Sequence, residues 1–153
     1  MNHTTVKRGL LAAAIPVVGL FAYANIASAD DTLTASLKGR NEVATGASNN
    51  RIVGDPNGRG TATVSGTDDP TELCYSISVK RIEPATAAHI HEGVAGTNGP
   101  VVVTLAAPTD GTSSGCVTAS EGLVAEILAV PAEYYVNVHN PEYPGGAVRG
   151  QLS

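Results

Sequence analysis

From residue 30 onward, Gly, Pro, Asn and Asp recur at short intervals, and the segments between them are short, β-branched and alternating. This punctuation constrains the chain more than any other feature. Residues 32–37 (Thr-Leu-Thr-Ala-Ser-Leu) alternate polar and apolar side chains, as does 61–65 (Thr-Ala-Thr-Val-Ser). That is the period of a strand with one buried face. The longest candidate is 73–82, with Leu73, Tyr75, Ile77, Val79 and Arg81 on one face and Cys74, Ser76, Ser78 and Lys80 on the other. Further strands are expected at 87–91, 101–105, from Cys116 through Thr118, at 134–139 and at 147–152. Turns fall at Thr67-Asp68-Asp69-Pro70, in Gly-rich 92–100 and in Asn140-Pro141-Glu142-Tyr143-Pro144-Gly145-Gly146. The polar stretch 39–57 reads as a long loop around a short edge segment. Seven or eight short strands with regular turn signals give an all-β class, an antiparallel Greek-key β-sandwich of the immunoglobulin-like type.

One segment departs from the two-residue period. In 121–128, Leu123, Val124, Ile127 and Leu128 take the spacing of one helical face. Ser120 stands where it can cap the start and Pro131 lies just past the end, so a short helix is expected within a connection.

The first 29 residues read as a secretory signal peptide: basic Lys7 and Arg8, an apolar stretch over 9–24, then Ala27-Ser28-Ala29. Cleavage there would start the mature chain at Asp30 and leave 124 of the 153 residues, one domain with one core. The alternative is an uncleaved anchor, which Pro16, Asn25 and the shortness of the apolar run disfavour. Nothing later in the chain is long and apolar enough to span a bilayer, so the expected location is secreted, extracellular or periplasmic. Loss of Lys7 and Arg8 takes nine basic residues to seven against fourteen acids, a mature net charge of about −7. Such a surface repels phosphate backbones, which disfavours nucleic-acid partners.

Cys74 and Cys116 are both in the mature part. In an oxidising compartment an even pair suggests a disulfide, closing a long loop at a gain of roughly 3–4 kcal/mol. The other reading is a pair of metal thiolates, but they stand 42 positions apart and outside any CxxC pattern.

His3 belongs to the leader, so the mature chain has three histidines: His89, His91 and His139. His89 and His91 are two apart and on a strand would project from one face, their Cα atoms roughly 6.6 Å apart. His139 closes a second strand that pairing could bring alongside. An isolated His-x-His is often only a surface pair or a set of donors to loop carbonyls. Here every mature histidine lies at one of two strand-to-loop junctions, which favours a site for one metal ion. Met1 is the sole methionine, and bridged cysteines leave no thiolate, so a blue-copper centre is disfavoured. A carboxylate-rich calcium loop is absent as well. Copper is the first choice for a nitrogen site and zinc the second.

Two ordered motifs carry a resemblance. Ala88-His89-Ile90-His91-Glu92-Gly93, Gly96 and Gly99-Pro100-Val101-Val102 form one. Tyr135-Val136-Asn137-Val138-His139, Pro144-Gly145-Gly146 and Arg149-Gly150-Gln151-Leu152 form the other. Together with Leu33 to Val43 they resemble the CHRD (chordin-type) domain family over essentially the whole mature chain. The chain departs from it at Ala147, where members often carry Glu. The resemblance implies a secreted protein, as in the growth-factor antagonist chordin, and an immunoglobulin-like antiparallel fold. A looser similarity to copper/zinc superoxide dismutase would make His89, His91 and His139 copper ligands, but the bridging and zinc-site histidines of that enzyme have no counterparts.

Three residues are candidates for a supporting role. Arg149 either guides an anion or pairs with an acid on a neighbouring strand. Tyr135 is expected on the face opposite Asn137 and His139, with core or loop packing as its role, as for Tyr134 and Tyr143. Glu92 follows His91 and should point away from it. Function then divides between an exported metal-binding protein, for sequestration, delivery or modest redox chemistry, and an extracellular module that binds a protein partner without metal. No hydrolase motif is present, and a zinc hydroxide on the histidines would be the one route to hydrolysis.

Overall fold

The computed structural model describes residues 32–44 and 53–153. The expected signal peptide and the expected mature start at Asp30 lie outside the described residues, as does part of the 39–57 stretch. Eight antiparallel strands carry the fold: β1 Thr32–Lys38, β2 Arg59–Gly66, β3 Glu72–Lys80, β4 Ala87–Glu92, β5 Val101–Leu105, β6 Thr112–Thr118, β7 Tyr134–His139 and β8 Val148–Gln151. They form one sheet in the order β5-β4-β7-β8-β1-β2-β3-β6. The sheet curls on itself until its edges approach. Ser113 Oγ at the start of β6 donates to the Ala106 carbonyl just past β5 at 2.8 Å, and the Ala106 amide donates to the Tyr75 hydroxyl at 2.9 Å. The all-β class and the strand count agree with the sequence.

Alternation supplies the core. Leu33, Ala35 and Leu37 face Val64, Ala62 and Gly60 across the β1–β2 ladder, and Val64, Ala62 and Gly60 face Tyr75, Ile77 and Val79. In the other half of the curled sheet, Ala88 and Ile90 oppose Val138 and Val136 and join the same core. Apart from half-buried Gly60 these residues are buried, and the large aliphatic side chains among them contribute roughly 1.5–3 kcal/mol apiece. The helix α1 (Glu121–Ala129) adds Val124 and Ile127 to that core, and Ser120 Oγ caps it by accepting from the Leu123 amide at 3.3 Å. The chain end is sewn in as well: Ser153 and Thr34 exchange backbone hydrogen bonds at 2.9 and 3.0 Å.

Several boundaries shift by a residue or two from the sequence reading, and two differences have a clear physical reason. Arg81 is not in β3: its φ of 61° turns the chain out of the strand, and it is exposed. Strand β6 begins at Thr112, four residues before Cys116, because the ladder to β3 is made by the backbone of Thr112, Ser113, Ser114 and Gly115. Those side chains carry no apolar alternation to announce a strand. Cys74 and Cys116 are direct partners in that ladder and are joined by a disulfide.

Candidate functional site

Tyr134 through Val138 are all buried, although alternate residues point to opposite faces of the sheet. The inner face is the apolar core. The outer face over β4, β7 and β8 is covered too, by polar groups and two loops. Pairing of β4 with β7 sets His91 opposite Tyr135, His89 opposite Asn137, and Ala87 opposite His139. The three histidines therefore surround Asn137 on one face. Ring centroids are 5.0 Å apart for His89 and His139, 5.6 Å for His89 and His91, and 6.2 Å for His91 and His139. One nitrogen of each lies within 4.8 Å of the others.

Loop carbonyls select the tautomers. His91 Nδ1 lies 3.0 Å from the Gly99 carbonyl, and His139 Nδ1 lies 3.1 Å from the Pro144 carbonyl. A carbonyl only accepts, so both Nδ1 atoms carry the proton and both Nε2 atoms keep a free lone pair. His139 Nε2 is met by His89 Nδ1 at 3.1 Å, so His89 Nδ1 donates there; a cation held at that nitrogen would leave the His89 proton on Nε2, the other ring nitrogen. His91 Nε2 is buried and has no hydrogen-bond partner among the described residues. A buried lone pair left this way costs about 1–3 kcal/mol, and a cation shared with the other two nitrogens would satisfy it. Burial holds all three imidazoles below their ordinary pKa; for His91 the nearby Arg149 charge adds to this, and the hydrogen bond to Gly99 opposes it. Neutral imidazole is the ligand form.

Gly99 reaches His91 because it is glycine: a Cβ there would run into the Glu92 carbonyl. The same residue donates its amide to the Tyr135 hydroxyl at 3.2 Å. Tyr135 thus shares the face of Asn137 and His139, contrary to the sequence reading; the register through β7 is unbroken and the two-residue period puts all three on one side. Its ring is stacked on His91, centroids 4.8 Å apart and planes 6° apart. Arg149, only 2% exposed, holds its guanidinium carbon 3.4 Å from the Tyr135 centroid and donates to Asn98 Oδ1 at 3.3 Å and the Val94 carbonyl at 3.4 Å. The strand neighbours of Arg149 are Asn137 and Lys38, not an acid. Glu92 is exposed and, as expected, on the other side of the strand from His91.

The acid that acts on Arg149 is Glu42, from the segment after β1. Sequence reasoning did not single it out, since a lone Glu in a polar loop carries no pattern. Glu42 Oε2 accepts from Asn137 Nδ2 at 3.4 Å. A second acid and cysteine cluster, Glu72 with Cys74 and Cys116, has its sulfurs tied up in the disulfide.

The model of the CHRD domain matches residues 33–152. The chain belongs to the CHRD-domain family. The match spans the sheet but for Thr32, and the family motifs fall on β4, β7, β8 and the loops whose carbonyls accept from the histidines. CHRD domains occur in extracellular proteins, and no described helix is long and apolar enough to cross a membrane. Searches among curated proteins and among solved structures returned no match.

Proposed function

We propose that this CHRD domain is an exported protein that binds one metal ion through His89, His91 and His139, copper by first choice and zinc by second. The observation that carries the reading is the buried His91 Nε2, without a hydrogen-bond partner among the described residues, beside His89 and His139, with the opposite nitrogen of His91 held by a backbone carbonyl. Orientation of a ligand imidazole by such a contact is a common feature of metal sites. An all-nitrogen donor set favours Cu²⁺ among divalent ions. Three protein ligands leave a coordination position open, which suits sequestration, delivery or modest redox chemistry. The bound ion would supply Lewis acidity or electron transfer; the chain supplies three neutral, oriented nitrogens and a covered face. The 1–29 leader supports export, with residues 30–153 as the mature domain.

The test is elemental analysis of the untagged mature protein, purified without chelators. About one copper or zinc per chain, lost in His89→Ala and in the triple alanine variant while the fold persists, is the expected result. Unchanged metal content in the triple variant would sink the reading. The family membership favours a second reading, an extracellular module that binds a protein partner. It predicts no metal, no uptake at micromolar copper, and capture of one extracellular partner.

A further inference from the structure

Two more buried acceptors lie without a donor among the described residues: Asn137 Oδ1 and Glu42 Oε1. Asn137 is the residue the three histidines surround, with His89 across the ladder and His139 two positions along its own strand. Its Nδ2 binds Glu42 Oε2, so the carboxylate is tied to the floor of the histidine group. Backbone closes on that carboxylate from two sides. A Cβ on Gly146 would lie 2.7 Å from Glu42 Oε1, and one on Gly54 would collide with Glu42 Cγ. Arg149 from β8 is the charge that acts on Glu42. Arg40 lines the adjoining cavity of about 410 Å³. Asp55, after Gly54, has its carboxylate turned to the amides of Asn57 and Gly58. The cluster thus leaves polar atoms of His91, Asn137 and Glu42 without a hydrogen-bond partner among the described residues, beside the three histidine nitrogens that could hold a cation.

Resting on the reading of the histidines as a metal site, we propose that Glu42, positioned by Asn137, is its counter-charge, so that uptake of a divalent cation drives the Glu42 proton into solvent. The O–H bond of the carboxylic acid breaks, the electron pair stays on the carboxylate, and the proton goes to the buffer. Burial supports this: it raises the Glu42 carboxyl to about 8 against the opposing pull of Arg149 and Asn137, so the metal-free domain holds the proton at pH 7. A nearby dication favours the ionised form and removes it.

The measurement is calorimetric titration with zinc ion alone, in two buffers of different ionisation enthalpy, between pH 7 and pH 8.5, on the mature wild type and on Glu42→Gln. The wild type is expected to release close to one proton per zinc at pH 7, with the count falling as pH passes about 8. Glu42→Gln should release close to none and bind zinc roughly tenfold more weakly. Equal proton counts in two proteins that both bind zinc would overturn the proposal. A wild-type count that rises with pH would overturn it too, because that is the signature of water ionising at the ion. Should the Gln variant fail to fold, the wild-type trend decides alone. Failure of the wild type to take up any zinc would remove the metal reading, and this proposal with it.

Discussion

The imidazole of His91 lies flat on the ring of Tyr135, with centroids 4.8 Å and planes 6° apart, and Arg149 approaches the same ring from β8. Because β7 lies between β4 and β8, the tyrosine separates a neutral ligand-type imidazole from a buried cation. The stack fixes the plane of His91, and the Gly99 carbonyl fixes its rotation about that plane.

Tyr135→Leu should therefore loosen His91 without emptying the site. It removes the stacking and the acceptor for the Gly99 amide. A loss of about 1–3 kcal/mol in unfolding stability and a fall of roughly tenfold in metal affinity are expected. Denaturant unfolding and a competition titration read the two effects separately, and unaltered affinity would show that the stack does not position the ligand.

Gly99→Ala should be the more damaging change, although it adds one methyl group to an irregular loop. The new Cβ meets the Glu92 carbonyl, a backbone atom that cannot swing aside. Destabilisation by about 2 kcal/mol or more is expected, with the His91 hydrogen bond lost as the loop shifts. A thermal midpoint equal to that of the wild type would contradict this.

Metal-free stability should fall as pH rises through Glu42. Its folded pKa of about 8 stands above the ordinary 4.5, so the folded state holds a proton that the unfolded state gives up between those values. The stability is present below about pH 4.5 and is lost as pH approaches 8, by an amount on the order of 2 kcal/mol after allowance for partial exposure. The histidines act in the opposite direction, since their depressed folded pKa values make the fold weaker as pH drops below the ordinary imidazole range. Urea midpoints of wild type and Glu42→Gln at pH 5.5 and pH 8 separate the two, and parallel curves would exclude the Glu42 contribution.

Removal of the disulfide by Cys74→Ser with Cys116→Ser should cost about 3–4 kcal/mol, as expected for a loop of this length, yet leave metal affinity within about twofold. The bridge links β3 to β6, and neither strand carries a histidine. A parallel loss of metal would show that the edge strand and the site are coupled.

Much of the fold was legible because burial on one face writes itself as alternation. Leu73, Tyr75, Ile77 and Val79 announce β3, and Tyr134 to His139 has the bounds expected of β7. Arg81, charged and next to Lys80, already breaks the apolar alternation where the strand ends, and the start of β6 had none, since a ladder made by Ser and Gly backbone leaves no side-chain period. The helix was readable from its cap and its 3.6-residue spacing.

The sequence by itself determined the residue types, the strand periods, the family motifs and the placing of His89, His91 and His139 at two junctions. Tertiary structure decided the rest. Only the β4–β7 register could put Asn137 among three imidazoles, and only the folded loops could bring the Gly99 and Pro144 carbonyls to the right ring nitrogens. Glu42 lies 95 positions from Asn137, and no local pattern reports a contact at that range. Its raised pKa comes from burial, which belongs to the folded surroundings and not to the residue.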